Sequence, residues 1–368
     1  MTSINAIRFN HYEGACICDE VTTSGGDMRV EVSDKIRPAM PRPIVDRYGT
    51  VAAIGTTGSC STGQAIKDAF SHRVLRHFEA EVDKRGAAPE RFLSLRDLAA
   101  LLFDVIVDLK FDALSDLLRG QHGFSLPELY AGAYRRADER YEIRDKDVIR
   151  DIVAMLAWKS QQEVTSAIFN NAALMAGYDE QDGFAIYQFD QRGGGYWHRV
   201  HTFYLAEGSG RHSFDPAMFP FAEKLLASER RGEVDRAEGM LMMLHGLNQA
   251  AEHEMGVGGY PNILLFNGRC ADHAARVVEI NDERSLLASH VAHGLQWGFI
   301  RHDLACELID DLLFRDRTWQ SVADRLFAAV PDERSFSLAL RGYKLLPHRH
   351  EIAPPRPSVA ERAPYPRN

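Results

Sequence analysis

The chain has 368 residues, with 43 Lys plus Arg against 52 Asp plus Glu, a formal net charge of −9, and 45% hydrophobic and 26% charged residues. That balance excludes a basic nucleic-acid footprint and lets a sizeable core form without metals or disulfides. No basic flank followed by an apolar run opens the chain, and no stretch of about 18 apolar residues occurs, so neither a signal peptide nor a membrane span is expected and the cytoplasm is the expected location. The cysteines, Cys16, Cys18, Cys60, Cys270 and Cys306, are odd in number. Most sit among small or apolar neighbours, which predicts reduced, buried thiols.

Residues 2–8 and 14–19 are short apolar runs separated by a turn and read as a hairpin. Val30, Val32 and Ile36 alternate with charges and predict a third strand over 29–36. Pro38, Pro41 and Pro43 predict a loop. A small, apolar fourth strand is expected over 48–54, running into the small-residue loop 55–63. Ile66, Phe70, Val74 and Phe78 then recur every four residues, the pattern of an amphipathic helix. Ser94 and Asp97 form a capping box ahead of an apolar helix over 98–109. Residues 110–165 are charge-rich and helical in pattern, and read as an insertion.

Strands are expected again at 172–179, 184–190 and 196–205, the last ending at Gly208-Ser209-Gly210. Helices follow over 216–229 and 236–255. Gly258-Gly259 leads into a strand over 262–266, and a further strand is expected at 274–280. Helices at 295–313 and 318–329 close the ordered part. Six prolines make 347–368 an irregular tail. The division that results is a main domain over 2–285, a helical extension over 286–346 and the tail. The order of strands and helices is satisfied by two sheets packed face to face with helices outside both.

Thr2 is the first candidate for chemistry. Its small side chain favours removal of Met1, and a threonine at the chain start carries a hydroxyl nucleophile and an amine base in one residue. Asp19 and Lys35 stand at the ends of the next two strand-like segments. The α-amino group titrates near 7.7–8.0 and accepts the hydroxyl proton at neutral pH. A buried Lys35 ammonium depresses the pKa of both groups it faces, and Asp19 holds that ammonium charged. The bland alternative is a structural ion pair between the two.

Other candidates carry less. Cys60 is a rival nucleophile with no base in its neighbourhood, and a buried thiol is its bland reading. Cys16-x-Cys18 lacks the further ligands of a metal site. The loop 55–63 has no Gly-Lys-Ser/Thr and is not a phosphate loop. No cofactor and no metal are expected.

The order of elements and the motifs resemble the proteasome-type N-terminal-nucleophile (Ntn) hydrolases, with the bacterial ATP-dependent protease peptidase subunit as the nearest pattern. The resemblance covers about residues 2–108 and 166–282. It rests on the spacing of Thr2, Asp19 and Lys35, the strand, loop and helix over 51–69, Gly208-Ser209-Gly210, and Glu254 before Gly258-Gly259. The family has Asp where Glu254 stands and Ser where Val257 stands. The resemblance implies an α+β fold of four αββα layers. It implies an acyl-enzyme on Thr2, with Asp19 and Lys35 activating it, Gly58 in the oxyanion hole and Ser209 beside the amine. A peptide or amide is the implied substrate. A homo-oligomer with an ATPase partner is implied, with neither nucleic acid nor membrane involved. Ligation or transamidation through the same acyl-enzyme and a non-catalytic scaffold subunit are the alternatives.

Overall fold

Ile4 and Ala6 point to one face of the first strand and Asn5 and Ile7 to the other, and all four are buried, so this strand is covered on both sides. The computed structural model describes residues 2–24, 28–30, 34–136, 138–143, 150, 171–190, 196–227, 233–254, 256–315 and 317–342. The strands are β1 (Ile4–Arg8), β2 (Glu13–Cys18), β3 (Thr22–Ser24), β4 (Met28–Val30), β5 (Ile36–Pro38), β6 (Val51–Thr56), β7 (Ala133–Arg136), β8 (Glu139–Glu142), β9 (Ala173–Asp179), β10 (Gly183–Asp190), β11 (Tyr196–Arg199), β12 (Tyr204–Glu207), β13 (Asn262–Asn267) and β14 (Val277–Ile280). Ten α-helices stand among the described residues: α1 (Arg42–Tyr48), α2 (Cys60–Arg85), α3 (Leu95–His122), α4 (Leu126–Ala131), α5 (Arg211–Ala227), α6 (Arg236–His253), α7 (Glu283–Gln296), α8 (His302–Leu313), α9 (Trp319–Ala329) and α10 (Glu333–Gly342).

The fold is mixed α and β, with antiparallel sheets. One five-stranded sheet has the order β12-β1-β2-β13-β14, and a second has β11-β10-β9-β6-β5. Period-two alternation sorts their side chains into separate cores. Ile4, Ala6, Cys16 and Cys18 of the first sheet cluster with Ile36, Val51, Ala53, Leu174 and Ala176 of the second. On its other side the first sheet offers Ile7, Ala15, Ile17 and Ile263 to Met240, Leu244, Leu287, Leu308 and Phe336. The second sheet offers Ala52, Ile54 and Met175 to Ile66, Phe70, Val74, Leu98 and Leu102. Helices α7 to α10 therefore share a core with the sheet that carries the N-terminus. No described helix is long and apolar enough to cross a membrane.

Several expectations are corrected. The single strand expected over 29–36 is not one strand: β4 ends at Val30 and pairs with β3, whereas β5 begins at Ile36 and pairs with β6, and residues 31–33 lie outside the described residues. The Pro38–Pro43 stretch is not all loop: it holds β5 and the start of α1, because Pro43 sits in the first helical turn, where no backbone N–H is needed. The fourth strand accordingly starts at Val51 rather than 48. The insertion over 110–165 is only partly helical. Helix α3, opened by the Ser94–Asp97 capping box, runs on to His122, and a hairpin of β7 and β8 follows, its Tyr134 and Tyr141 rings stacked. Charged residues around those tyrosines hide the period-two pattern. Residues 144–149 and 151–165 of that insertion lie outside the described residues. The strand expected at 196–205 is two strands, and they join different sheets. The strand at 274–280 begins with a single turn of helix, His273–Arg276. The helix expected at 295–313 is α7 and α8, parted at Gly298, where φ is +74°. Helix α10 was not foreseen.

Candidate functional site

Antiparallel register brings the candidates together. Ile4 faces Cys18 on one side and Glu207 on the other. Carrying each register past the strand ends sets Ser3 beside Asp19 and Thr2 beside Ser209. The hydrogen bonds agree. Ser3 N donates to Asp19 Oδ1 at 2.8 Å and Asp19 N donates to Ser3 O at 3.2 Å. The Thr2 main-chain nitrogen donates to Ser209 Oγ at 3.1 Å, and Gly210 N donates to Thr2 O at 3.2 Å.

The second sheet supplies Lys35. Ile36 faces Gly55 across β5 and β6, so Lys35 lies beside Thr56, whose N–H donates to Lys35 O at 2.9 Å. From there Lys35 Nζ reaches the first sheet and donates to Asp19 Oδ2 at 2.6 Å and to the Val21 carbonyl. Lys35 is 4% exposed and Asp19 1%. Burial pushes the Asp19 carboxyl above its ordinary value, while Lys35 and the N–H groups of Ser3 and Gly258 pull it back. Taking one partner away would strand a charge in the interior.

A cavity of about 400 Å³ opens where the two sheets meet, lined by Thr2, Lys35, Thr56, Gly58, Gln64 and Lys67 among others. Gly58 has φ +98°, a left-handed conformation that favours glycine. Its N–H donates to no group among the described residues. Ser59 caps α2 by accepting from Thr62 N at 3.4 Å. The arrangement thus gathers a hydroxyl, a buried ammonium and a backbone donor around one space. Such a set can activate an oxygen nucleophile and bind a developing oxyanion.

Gly208 shows how tightly the chain start is held. Its φ is +96°, and a Cβ there would lie 2.1 Å from Thr2 O. Gly208→Ala is expected to cost more than about 2 kcal/mol, through strain and collision together. Urea denaturation of the two proteins checks this, and unchanged stability would mean that the contact is soft.

Thr2, Asp19, Lys35 and Ser209 are thus joined directly or through neighbours, and Gly58 lines the same cavity. Glu254 does not line the cavity: it ends α6, and its carbonyl accepts from Val257 N at 3.1 Å. Its glycine neighbour Gly258 does reach the site, donating to Asp19 Oδ2 at 3.4 Å. Cys60 is exposed on the cavity rim, contrary to the buried thiol expected. Cys16 and Cys18 are buried between the sheets, and burial pushes the Cys18 thiol up to about 12.

Sequence reasoning missed Lys67 and Gln64. The signal for Lys67 was present. Gly63, Ile66, Phe70 and Val74 mark the buried face of α2, and Lys67 falls on that face at the same helical spacing.

No protein-family model matches the chain, and no curated protein matches it in sequence. Among solved structures it is similar to Anbu (ancestral beta-subunit) from Yersinia bercovieri, at 12% identity and a TM-score of 0.49, over 80% of this chain and 94% of that one. It is similar also to an Anbu (Gly-1) mutant from Hyphomicrobium sp. strain MC1, at 12% identity and 0.48, over 82% and 99%. The expected kinship with the bacterial ATP-dependent protease peptidase subunit is corrected: no family model supports it, and these two structures are ancestral beta-subunits. The spacing of three residues fixes one corner of a fold and leaves the family open.

Proposed function

We propose that this chain is an N-terminal threonine hydrolase that cleaves an amide bond through an acyl-enzyme on Thr2. The observation that carries the reading is the convergence of Thr2, the buried Lys35–Asp19 pair and Gly58 on one cavity. Removal of Met1 frees the Thr2 α-amino group. That amine, hydrogen-bonded to Ser209, takes the proton as Thr2 Oγ attacks the substrate carbonyl carbon. The Lys35 ammonium favours the alkoxide-like oxygen, and the Gly58 N–H is available to the oxyanion. The C–N bond breaks, the leaving amine takes the proton, and the acyl group stays on Thr2 as an ester. Water then adds, the ester C–O bond breaks, and the acid departs with the Thr2 hydroxyl restored.

The same three cores support a finer view of the fold, a four-layer αββα sandwich in which α2 and α3 cover one sheet and α5 to α10 the other. In that arrangement the nucleophile sits at the mouth of the inter-sheet core, where both sheets can contribute to it.

The mechanism requires a free α-amino group on Thr2. Intact mass of the purified protein is expected to be short of the full sequence by one methionine. Turnover by protein that retains Met1 would overturn the mechanism, and inert protein that retains it would point to a scaffold.

A further inference from the structure

Lys67 is a buried cation that the mechanism above does not use. It is 2% exposed, on α2, and it lines the cavity with Thr2. Its ammonium donates to the Asp34 carbonyl. No carboxylate lies within ion-pair reach of it among the described residues, whereas Lys35 is matched by Asp19 and Arg37 by Asp68. An ammonium has three donors, so two remain beyond the Asp34 contact. Burial, then the nearby Arg37, lowers Lys67 to about 8, which is the mark of a cation short of negative charge. Asp34 also lines the cavity, but it is exposed at the rim, where solvent screens it. The floor is therefore positive and the rim is hydroxylic, with Ser59 and Ser61 beside Gln64.

We propose that Lys67 is the floor of a subsite that binds a carboxylate on the acyl side of the scissile bond, so that the chain acts after acidic residues. An anionic side chain entering beside Thr2 would supply the charge that Lys67 lacks, and Gln64 and Thr56 can donate to the same oxygens. The subsite names the substrate class for the threonine-nucleophile reading and rests on it for the direction of the substrate.

The test is binding, kept apart from chemistry. Full-length protein carrying Thr2→Ala is titrated by calorimetry with N-acetylated tetrapeptide amides that end in Glu, Gln, Leu or Lys. The Glu peptide is expected to bind at least about ten-fold more tightly than the Gln peptide, as one buried charge-assisted hydrogen bond allows. Adding Lys67→Met is expected to abolish the difference, and adding Lys67→Arg to keep it. A melting curve checks that each variant is folded, and Lys67→Gln, also expected to abolish the difference, carries the test if Lys67→Met is not. Equal affinity for Glu and Gln overturns the subsite, as does a Glu preference that survives Lys67→Met, or no binding of any of the four. Covalent labelling of Thr2 in the unsubstituted protein judges the nucleophile independently. A Glu preference with an inert Thr2 would leave the subsite standing and remove the hydrolase.

Discussion

Lys35→Ala is expected to lower turnover about 10³-fold and to lower stability at pH 7 by about 3 kcal/mol. Both effects come from one pair. The ammonium is within 2.6 Å of Asp19 and nearly sealed from water, so its loss leaves a buried carboxylate with, among the described residues, only the Ser3 and Gly258 N–H groups. Burial already raises the Asp19 carboxyl with Lys35 in place, and removing Lys35 raises it further. A carboxyl whose folded-state pKa lies above its unfolded value stabilises the fold at low pH, and that stability is lost as pH rises through the folded-state pKa. The melting gap between Lys35→Ala and the unsubstituted protein should therefore narrow from pH 7 to pH 5. A gap that widens in acid would mean that Asp19 is not the stranded group. Lys35→Met combined with Asp19→Asn should recover melting without recovering turnover. Restored turnover in that double variant would reduce the pair to a structural role.

The second large effect concerns which atom reacts. Thr2 and Cys60 line the same cavity, and a thiol is intrinsically the better nucleophile. Activation decides between them. Thr2 has its main-chain nitrogen on Ser209 and lines the cavity together with Lys35. Cys60 is exposed at the first turn of α2, on the rim. An epoxyketone or β-lactone probe is expected to modify Thr2, located by peptide mass spectrometry. Thr2→Ala should abolish labelling and lower turnover on the order of 10⁴-fold or more, and Cys60→Ala should keep both. A label on Cys60 would replace the mechanism. A protein inert to a range of such probes would favour a scaffold.

What could be read from the residues alone was set by short-range rules. Alternating apolar residues at Ile4–Arg8, the Ser94–Asp97 cap and the four-residue spacing of Ile66, Phe70 and Val74 are local patterns. A strand or helix declares them without reference to the rest of the chain. The hairpin that sets Asp19 beside the chain start was legible too, but the residue it faces is Ser3, one place on from Thr2. Local rules failed where two answers share one pattern. A proline in a first helical turn reads like a loop, a helix broken at Gly298 reads like one helix, and the run over 196–205 does not say that it changes sheet.

Tertiary structure alone decided the rest. Residue 209 meets residue 2 because β12 pairs with β1 in one register among many that the sequence permits. Lys35 reaches Asp19 only because the two sheets bring the ends of β5 and β2 together. Lys67 lies on the buried stripe of α2, and spacing could say that it faces inward. What it faces, a cavity shared with Thr2 and, among the described residues, no carboxylate within ion-pair reach, depends on the packing of α2 against β6. Burial makes that distinction matter: in water an unmatched ammonium costs little, and in the interior it calls for a partner.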